Sequence, residues 1–553
     1  MEDVLELVRD RMRDRPQEVA VVAADGRMSR SQLWRGAQAL ASRLTAAGLR
    51  PGEVVAVHTG RTTELAVGVL GTMLAGGAFC VMDPAYPQAR LRRMRRDSGA
   101  RFVLTAALRL TPVRPARHPA PAREGLAYVV FTSGSTGTPK AIGMPYRGLD
   151  NLVAWTLAST SARPLRTVQF APLGFDVFVQ EAFTAWCSGG ALYVLAEHER
   201  RDLVRLAQLL DEWRIERLFM PPVALLRLAE VASHTGRYPR SLREVAVAGE
   251  ALRVTPHLRR FFTALPDSRL HNHYGPAETH VATAHTLAGP PERWPDSPPI
   301  GRPIPGFEAR VIDGELWLAG AGVSVGYLND PELTARRFVP VEWAEGLAYR
   351  TGDLVTRRAD GALDYLGRAD HQVKIRGHRV DPGEVEALLG QHPAVRECAV
   401  VARQVDAERQ LVAYVVGEPA GVRAYLARLL PEHLVPQQVV AVPELPLSAN
   451  GKTDRSRLPD PPTGPGGGAP PQGEWEQLVA SVWSSVLGRQ DIGRDQHFLE
   501  LGGSSLSAAL VIARLQGRHG GRIGLQDFLA EPTVRGLARL MRDTRRSTAG
   551  ERP

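Results

Sequence analysis

Residues 128–140 read YVVFTSGSTGTPK. An apolar, β-type run from Tyr128 to Phe131 enters a loop of glycines and hydroxyl residues that closes on Lys140. Glycines let backbone N–H groups approach phosphate oxygens, and Ser/Thr hydroxyls add further donors. The order is not that of a P-loop, which needs Gly-Lys-Ser/Thr; here Pro139 precedes the lysine and Ala141 follows it. A strand feeding such a loop predicts an α/β body, and the flanking sequence agrees. EVVAVHTG (53–60), a helical stretch over 62–77 and AFCVMDP (78–84) alternate, as do LREVAVAG (242–249) and VTPHLRRFFTAL (254–265). Such alternation of strand-like and helix-like runs predicts layered sheets and helices.

Further along, the pattern changes. From about residue 355 come short polar strands, TRRADGALDYLGR and HQVKIRGHRV, then a helix and two more strands, which predicts a smaller α+β lobe ending near 458. PDPPTGPGGGAPPQG (459–473) cannot build a core and reads as a linker. The remaining 80 or so residues contain helical patterns only. The expected division is 1–368 for a large N-terminal core, 369–458 for the C-terminal lobe, 459–473 for the linker and 474–547 for a helical domain resembling a four-helix bundle.

Composition narrows the function. The 553 residues are 44% hydrophobic and 23% charged, ordinary for a globular protein. No apolar run approaches the roughly 20 residues of a membrane helix, and the N-terminal MEDVLELVRDRMRDRP has no apolar signal core. Cys80, Cys187 and Cys398 form neither a disulfide framework nor a metal spacing, which fits a reducing cytoplasm. Net charge is +9, but the arginines are spread along the chain without a basic block, so neither nucleic acid nor a membrane is expected as a partner. Of 68 basic residues only Lys140, Lys374 and Lys452 are lysine. Lysine is a compact point charge where arginine is a rigid fork, and all three lie in glycine-containing polar segments.

At this point the chain resembles the adenylate-forming enzymes, and within them the adenylation domains of nonribosomal peptide synthetases. GAFCVMDPAYPQARL, FTSGSTGTPK, FAPLGFDVFVQE, NHYGPAETH, GELWLAGAGVSVGY, YRTGDL, GRADHQVKIRGHRVDPGEVE and LSANGKTDR carry the resemblance, in order, over nearly all of 1–458. It implies that Thr132, Ser133, Gly134, Ser135, Thr136 and Gly137, with Lys140, cradle the phosphates of ATP. It implies that Glu278 holds Mg²⁺, a cation that prefers hard oxygen ligands. Tyr274 would stack on adenine, Asn272 would bond its amino group, and Gly249–Glu250–Ala251 would cover the other face. Asp353 would take the ribose hydroxyls, with Tyr365 and Arg368 as secondary contacts. Lys452 is the expected catalytic lysine, carried in by the mobile small lobe about a hinge at Asp370; rotation there would withdraw it and present the Lys374 side. For Lys374 itself a structural place is favoured over a catalytic one, since strand lysines usually face solvent, and its role stays open.

The tail segment DQHFLELGGSSLSAALVIARL (495–515) resembles the attachment motif of peptidyl carrier domains, with Ser505 as the phosphopantetheine site. Leu506, Leu510 and Ala513 are expected on one face of the following helix. A helix N-terminus suits a phosphodiester because free N–H groups and the dipole favour anions.

For the substrate, Asp176 in GFDVFVQE stands where amino-acid-activating members keep a carboxylate for the α-ammonium. The other pocket positions by resemblance are Val177, Gln180, Phe219, Ala246, Ala248, His273, Val281 and Ala282. They resemble proline-selecting pockets, with extra room at Ala246 and Ala282 for a larger or substituted ring. A phosphopantetheinyl transferase, a downstream condensation or tailoring enzyme and an MbtH-type accessory protein are the implied partners. PKAIGM stands where the family would have PKGV. Neither an HHxxxDG motif nor a thioesterase follows, so a loading didomain is expected. A different amino acid, a coenzyme A ligase and an inactive scaffold are the alternatives; Ser505 and Asp176 speak against the ligase, and the intact Lys140, Glu278, Asp353 and Lys452 against the scaffold.

Overall fold

The computed structural model describes residues 3–549 apart from 114–124, 134–138, 161–162, 370–371, 376–377, 406–407, 447–452, 454, 461–468, 490–491, 499–500, 502, 504 and 520–522. Two sheets form the heart of the large body. The first has six strands in the order Arg109–Pro112, Phe102–Thr105, Val54–Val57, Ala78–Val81, Leu126–Thr132, Lys140–Pro145; its inner strands are parallel and both edges antiparallel. The second has nine strands, and its parallel centre runs Val19–Ala23, Ala191–Val194, Arg166–Gln169, Arg217–Met220, Glu244–Val247, Arg269–Tyr274. Val54–Val57, Ala78–Val81, Arg217–Met220 and Glu244–Val247 are buried at every position. Parallel strands covered on both faces need such continuous apolar runs.

Helices Thr63–Leu74 and Asp176–Cys187 are buried almost throughout and join the two sheets in one core, where Val57, Val67 and Leu70 meet Phe183, Trp186 and Val194. Gly68 and Gly71 permit this packing: a Cβ on either would come within 3 Å of Val57 or Leu40.

The pattern change near 355 falls inside a strand of the body. Leu347–Arg357 pairs with Glu315–Gly320 on one side and with Leu363–Arg368 on the other, in a third sheet of five strands. The switch to polar residues marks a half-exposed antiparallel sheet, where one face is solvated. Past it comes a separate small unit: the hairpin Val373–Ile375/His378–Val380, helix Pro382–Leu389, and a sheet of Val395–Val405, Glu408–Gly417 and Gln438–Ala441 with its own core.

The tail folds into helices Gly473–Leu487, Ser505–His519, Leu525–Ala530 and Val534–Ala549 around Trp483, Phe498 and Phe528. Helix Ser505–His519 is buried on two sides. Leu510 faces the tail's own core, whereas Ala509 and Ala513 pack into the body beside helix Pro222–Thr235. The single apolar face expected for Leu510 and Ala513 is therefore split: one looks inward and the other faces the body. Gly517 continues that second side, where a Cβ would lie 2.8 Å from the His234 carbonyl oxygen.

Candidate active site

The parallel strands end on one side of the body, and the site is built beyond their carboxyl ends, as in open α/β sheets generally. Thr132 closes one strand, Phe219 and Ala246 are paired near the ends of two others, and His273 and Tyr274 end a fourth. A cavity of about 580 Å³ lies above them. Asp176, Val177, Gln180, Phe219, Ala246, Ala248, His273 and Val281 line it, together with Thr132, Gly249, Asp353 and Arg368. Ala282 lies elsewhere: it is fully buried in a cluster with Tyr274, Ile300 and Leu316 and is not part of the lining.

Asp176 is held by its own helix start, its Oδ1 accepting from the Val177 N–H at 2.9 Å. The loop 275–281 is tied to it. His280 has a left-handed backbone (φ 56°), and its Nε2 lies 3.0 Å from the Asp176 carbonyl oxygen. Gly275 makes that tight loop possible, since a Cβ there would meet the His280 carbonyl oxygen at 1.6 Å. Gln180 is buried and donates to the Thr156 hydroxyl at 3.2 Å. Burial, then His271 and His280, hold the His273 imidazole well below its ordinary pKa, so it is neutral.

Asp353 is buried with both oxygens engaged, one by the Tyr274 hydroxyl at 2.5 Å and the other by Arg368 at 2.7 Å. Asn272 is buried behind the cavity and donates to the Pro299 carbonyl at 2.8 Å. Lys374 does not face solvent. It is half-buried in the cavity wall, with its Nζ 5.4 Å from the Tyr274 ring centre and 5.6 Å from that of Tyr365. Burial lowers its pKa against the opposing pull of Asp353. A solvent-facing reading fails because this hairpin packs on the body, a contact that strand periodicity does not encode.

Glu278 is buried, and the Tyr327 hydroxyl donates to it at 2.8 Å. Arg379 of the same hairpin reaches its Oε2 at 3.0 Å. Burial alone would raise the Glu278 carboxyl, but Arg379 and the hydroxyls of Tyr327 and Tyr349 outweigh it and hold the group below the ordinary range. A buried, ionised carboxylate with hydroxyl neighbours is the hard oxygen donor that Mg²⁺ takes, so Glu278 is the residue here that would hold that ion. Ser133, in the loop expected to hold phosphates, is buried and bonded to the backbone of Arg379 and Asp381. Lys140 points its Nζ over the Tyr327 ring at 5.7 Å, and burial lowers its pKa. Gly134, Ser135, Thr136, Gly137, Asp370 and Lys452 lie outside the described residues, as does the side chain of Ser505.

The cavity is also lined by Phe175, Arg201, His378, Glu432, His433 and, from the tail, Gly503. His378 and His433 stack at 3.9 Å between ring centres, with Phe175 edge-on to His378 at 4.6 Å. A buried ion pair, Arg90–Glu384 at 3.0 Å, joins body and small lobe nearby. Sequence reasoning singles out none of His280, Tyr327, Arg379, Arg90, Glu384 or His433. For all but His433, the one signal in reach is their position inside quoted motifs.

Residues 8–328 match the family model described as AMP-binding enzyme. The chain belongs to this family. Residues 384–452 match the AMP-binding enzyme C-terminal domain and 477–541 the phosphopantetheine attachment site. Among curated AMP-binding relatives, tyrocidine synthase 2 of Brevibacillus parabrevis is 36% identical over 95% of this chain, which spans 16% of that protein. Phosphinothricin tripeptide synthetase PhsC of Streptomyces viridochromogenes is 36% identical over 96% of the chain, which spans 52% of it. The chain thus spans between about one sixth and one half of these relatives. Among solved structures, holo-PA1221, an NRPS protein containing adenylation and PCP domains bound to a vinylsulfonamide inhibitor, aligns with a TM-score of 0.81 at 28% identity, covering 98% of this chain and 97% of that one. The AMP-binding body, small lobe and carrier tail therefore have the organisation of an adenylation–carrier didomain, and no helix among the described residues is long and apolar enough to cross a membrane.

Proposed function

We propose that this chain activates an amino acid with ATP and passes the aminoacyl group to its own carrier domain, within nonribosomal peptide assembly. One observation carries the reading: Asp176 of the body, Asp353, Lys374 of the small lobe and Gly503 of the tail, two residues before Ser505, all line a single cavity. A shared cavity suits a reaction that begins at an amino-acid pocket and ends at a tethered thiol.

In the first half-reaction the substrate carboxylate attacks the α-phosphorus, the bond to the β-phosphate breaks, and pyrophosphate leaves. Asp176 holds the α-ammonium, Asp353 the ribose hydroxyls, and the 132–140 loop the outgoing phosphates. Lys452 stabilises the charge that develops between carboxylate and phosphorus. Mg²⁺ on Glu278 would neutralise the phosphates. Phosphopantetheine on Ser505 would supply the thiol that takes the aminoacyl group as AMP departs.

The pocket side chains favour a proline-like cyclic imino acid. Val177, Phe219, Ala246 and Val281 offer apolar walls, and neutral His273 adds no charge. The space beside Ala246 suits a ring larger than proline or one bearing a methyl group. Further readings are the division 1–368, 369–458 and 474–547, a loading role, a cytoplasmic location in keeping with the free cysteines, and an MbtH-type accessory protein.

Two measurements test the reading. Pyrophosphate exchange against a panel of amino acids should be stimulated most by proline or a substituted or six-membered cyclic imino acid; stimulation by acyclic residues alone sinks the substrate class. Intact mass after incubation with a phosphopantetheinyl transferase should rise by one pantetheine arm, and the Ser505→Ala protein should show no gain.

A further inference from the structure

The turn that carries Phe175 and Asp176 into the cavity is held from behind by three side chains that do not line it: Arg61, Gln169 and Glu181. Gln169 ends strand Arg166–Gln169, and Glu181 follows Asp176 on helix Asp176–Cys187; both are fully buried. The Glu181 Oε1 accepts from the backbone N–H groups of Phe170 and Ala171, each at 2.9 Å, and its Oε2 accepts from Gln169 Nε2 at 2.8 Å. Arg61, at the entry to helix Thr63–Leu74, donates through Nη1 to the other end of the same amide, Gln169 Oε1, and through Nη2 to the Ala171 carbonyl at 2.9 Å. Its Nε reaches Glu197 at 3.0 Å. The Gln169 amide thus relays between a buried cation and a buried anion, and Ala171 is bonded through both its N–H and its carbonyl.

Buried ions are a costly way to fix a turn, since desolvation opposes them and well-packed apolar groups often serve as well. What a fully satisfied polar network adds is a single geometry. We propose that Arg61 and Glu181 are positioning residues for amino-acid binding: acting through Gln169 and the backbone of 170–171, they fix the place of Asp176 and of the cavity wall beside it. The inference rests on the adenylation reading above and deepens it. Asp176 would hold the α-ammonium in ground state and transition state alike. A slackened turn therefore weakens amino-acid binding and leaves the saturated rate and ATP binding in place. The network also has a proton-dependent member. Burial pushes the Glu181 carboxyl up to about 7, against the pull of its three N–H donors and of Arg61. The other charges in the network surround the guanidinium: Glu197, Arg200 and Asp83. A protonated Glu181 would set its O–H against groups that are themselves donors. The turn is held best with the carboxylate ionised, and amino-acid binding weakens as pH falls through neutrality.

The test is pyrophosphate exchange by the full chain, read as half-saturation for L-proline, or for the most active amino acid of the panel above, and separately for ATP. Arg61→Lys keeps the charge and loses the fork. Its half-saturating amino-acid concentration should rise at least tenfold, with that for ATP and the saturated rate within twofold of the parent. An amino-acid value within twofold of the parent, or one that rises in step with the value for ATP, overturns the proposal. A variant that fails to fold is bypassed in the parent itself. From pH 8 to pH 6 its half-saturating amino-acid concentration should rise at least threefold while that for ATP holds within twofold; a flat amino-acid profile overturns the proposal. Glu181→Gln should bind the amino acid more weakly than the parent at pH 8 and change by less than twofold on going to pH 6, and a profile as steep as the parent's overturns it. Absence of amino-acid-dependent exchange in the parent strikes the adenylation reading and this inference with it. A parent that exchanges beside an Arg61→Lys protein with unchanged half-saturation strikes the inference alone.

Discussion

The Tyr274 hydroxyl donates to Asp353 at 2.5 Å while Arg368 holds the other oxygen of the same carboxylate at 2.7 Å. Asp353 is 1% exposed, so its orientation depends on these two partners and on the nearby Lys374 ammonium. Removing Arg368 strips a buried anion of its closest cation, a change that generally costs about 3–5 kcal/mol. Arg368→Ala is expected to lower the denaturant midpoint of the body markedly, and Arg368→Lys to recover part of the loss. A midpoint unchanged in the alanine variant would refute the pairing.

Glu278→Gln keeps the shape and removes the charge. Pyrophosphate exchange should fall by about 10²-fold, the scale of losing one electrostatic stabiliser at a reacting centre. What activity remains should need more Mg²⁺ for half-saturation. An unaltered magnesium dependence would mean that the ion sits elsewhere.

Ala246 is the position where the pocket has spare volume in our reading. Ala246→Ile fills it, and hydrophobic pockets discriminate methyl-sized differences by about 1–3 kcal/mol, or 10–200-fold. The ratio of exchange rates for a six-membered or methylated ring against proline should drop by at least tenfold. If both rates fall together, the side chain does not face the ring.

Burial keeps the His273 imidazole neutral, with a folded pKa below the roughly 6.5 of an unfolded chain. As pH falls through 6.5 the unfolded state takes up a proton that the folded state refuses, so stability present above 6.5 is lost below it. Urea midpoints should decline from pH 7.5 to 5.5, and His273→Phe should flatten that decline. A steeper slope in the variant would contradict the assignment.

Lys452→Arg exchanges a compact ammonium for a planar fork. Pyrophosphate exchange should fall by at least about tenfold, on the view that general electrostatic catalysis depends on placement within a fraction of an ångström. Near-parental exchange would show that a guanidinium serves as well.

Much of this molecule is legible in its sequence because the relevant physics is local. The innermost parallel strands are mostly apolar runs, the linker is Pro/Gly-rich, and Asp176, Glu278 and Asp353 sit in contiguous motifs. What stays hidden is the pairing of distant segments. Arg379 meets Glu278 and Asp381 meets Ser133 across more than a hundred residues, and no periodicity reports which hairpin side lies against the body. The burial of Lys374 escapes notice for that reason, and Ala282 is withdrawn into a cluster with Tyr274, Ile300 and Leu316 that no local pattern announces. Helix Ser505–His519 is misread in a related way: an amphipathic pattern shows one apolar face, but alanines do not announce a second.

That second face sets how portable the carrier is. Ala509 and Ala513, which carry nothing beyond Cβ, and Gly517, which lacks even that, let two helix backbones come close, with the His234 carbonyl opposite Gly517. A carrier transplanted from another assembly line with leucines at these places would stand farther off, and each ångström of stand-off shortens the reach of an arm of fixed length anchored at Ser505. Exchange of modules at this junction is therefore limited by side-chain size at three positions, and a donor carrier trimmed to small residues there is the one that fits.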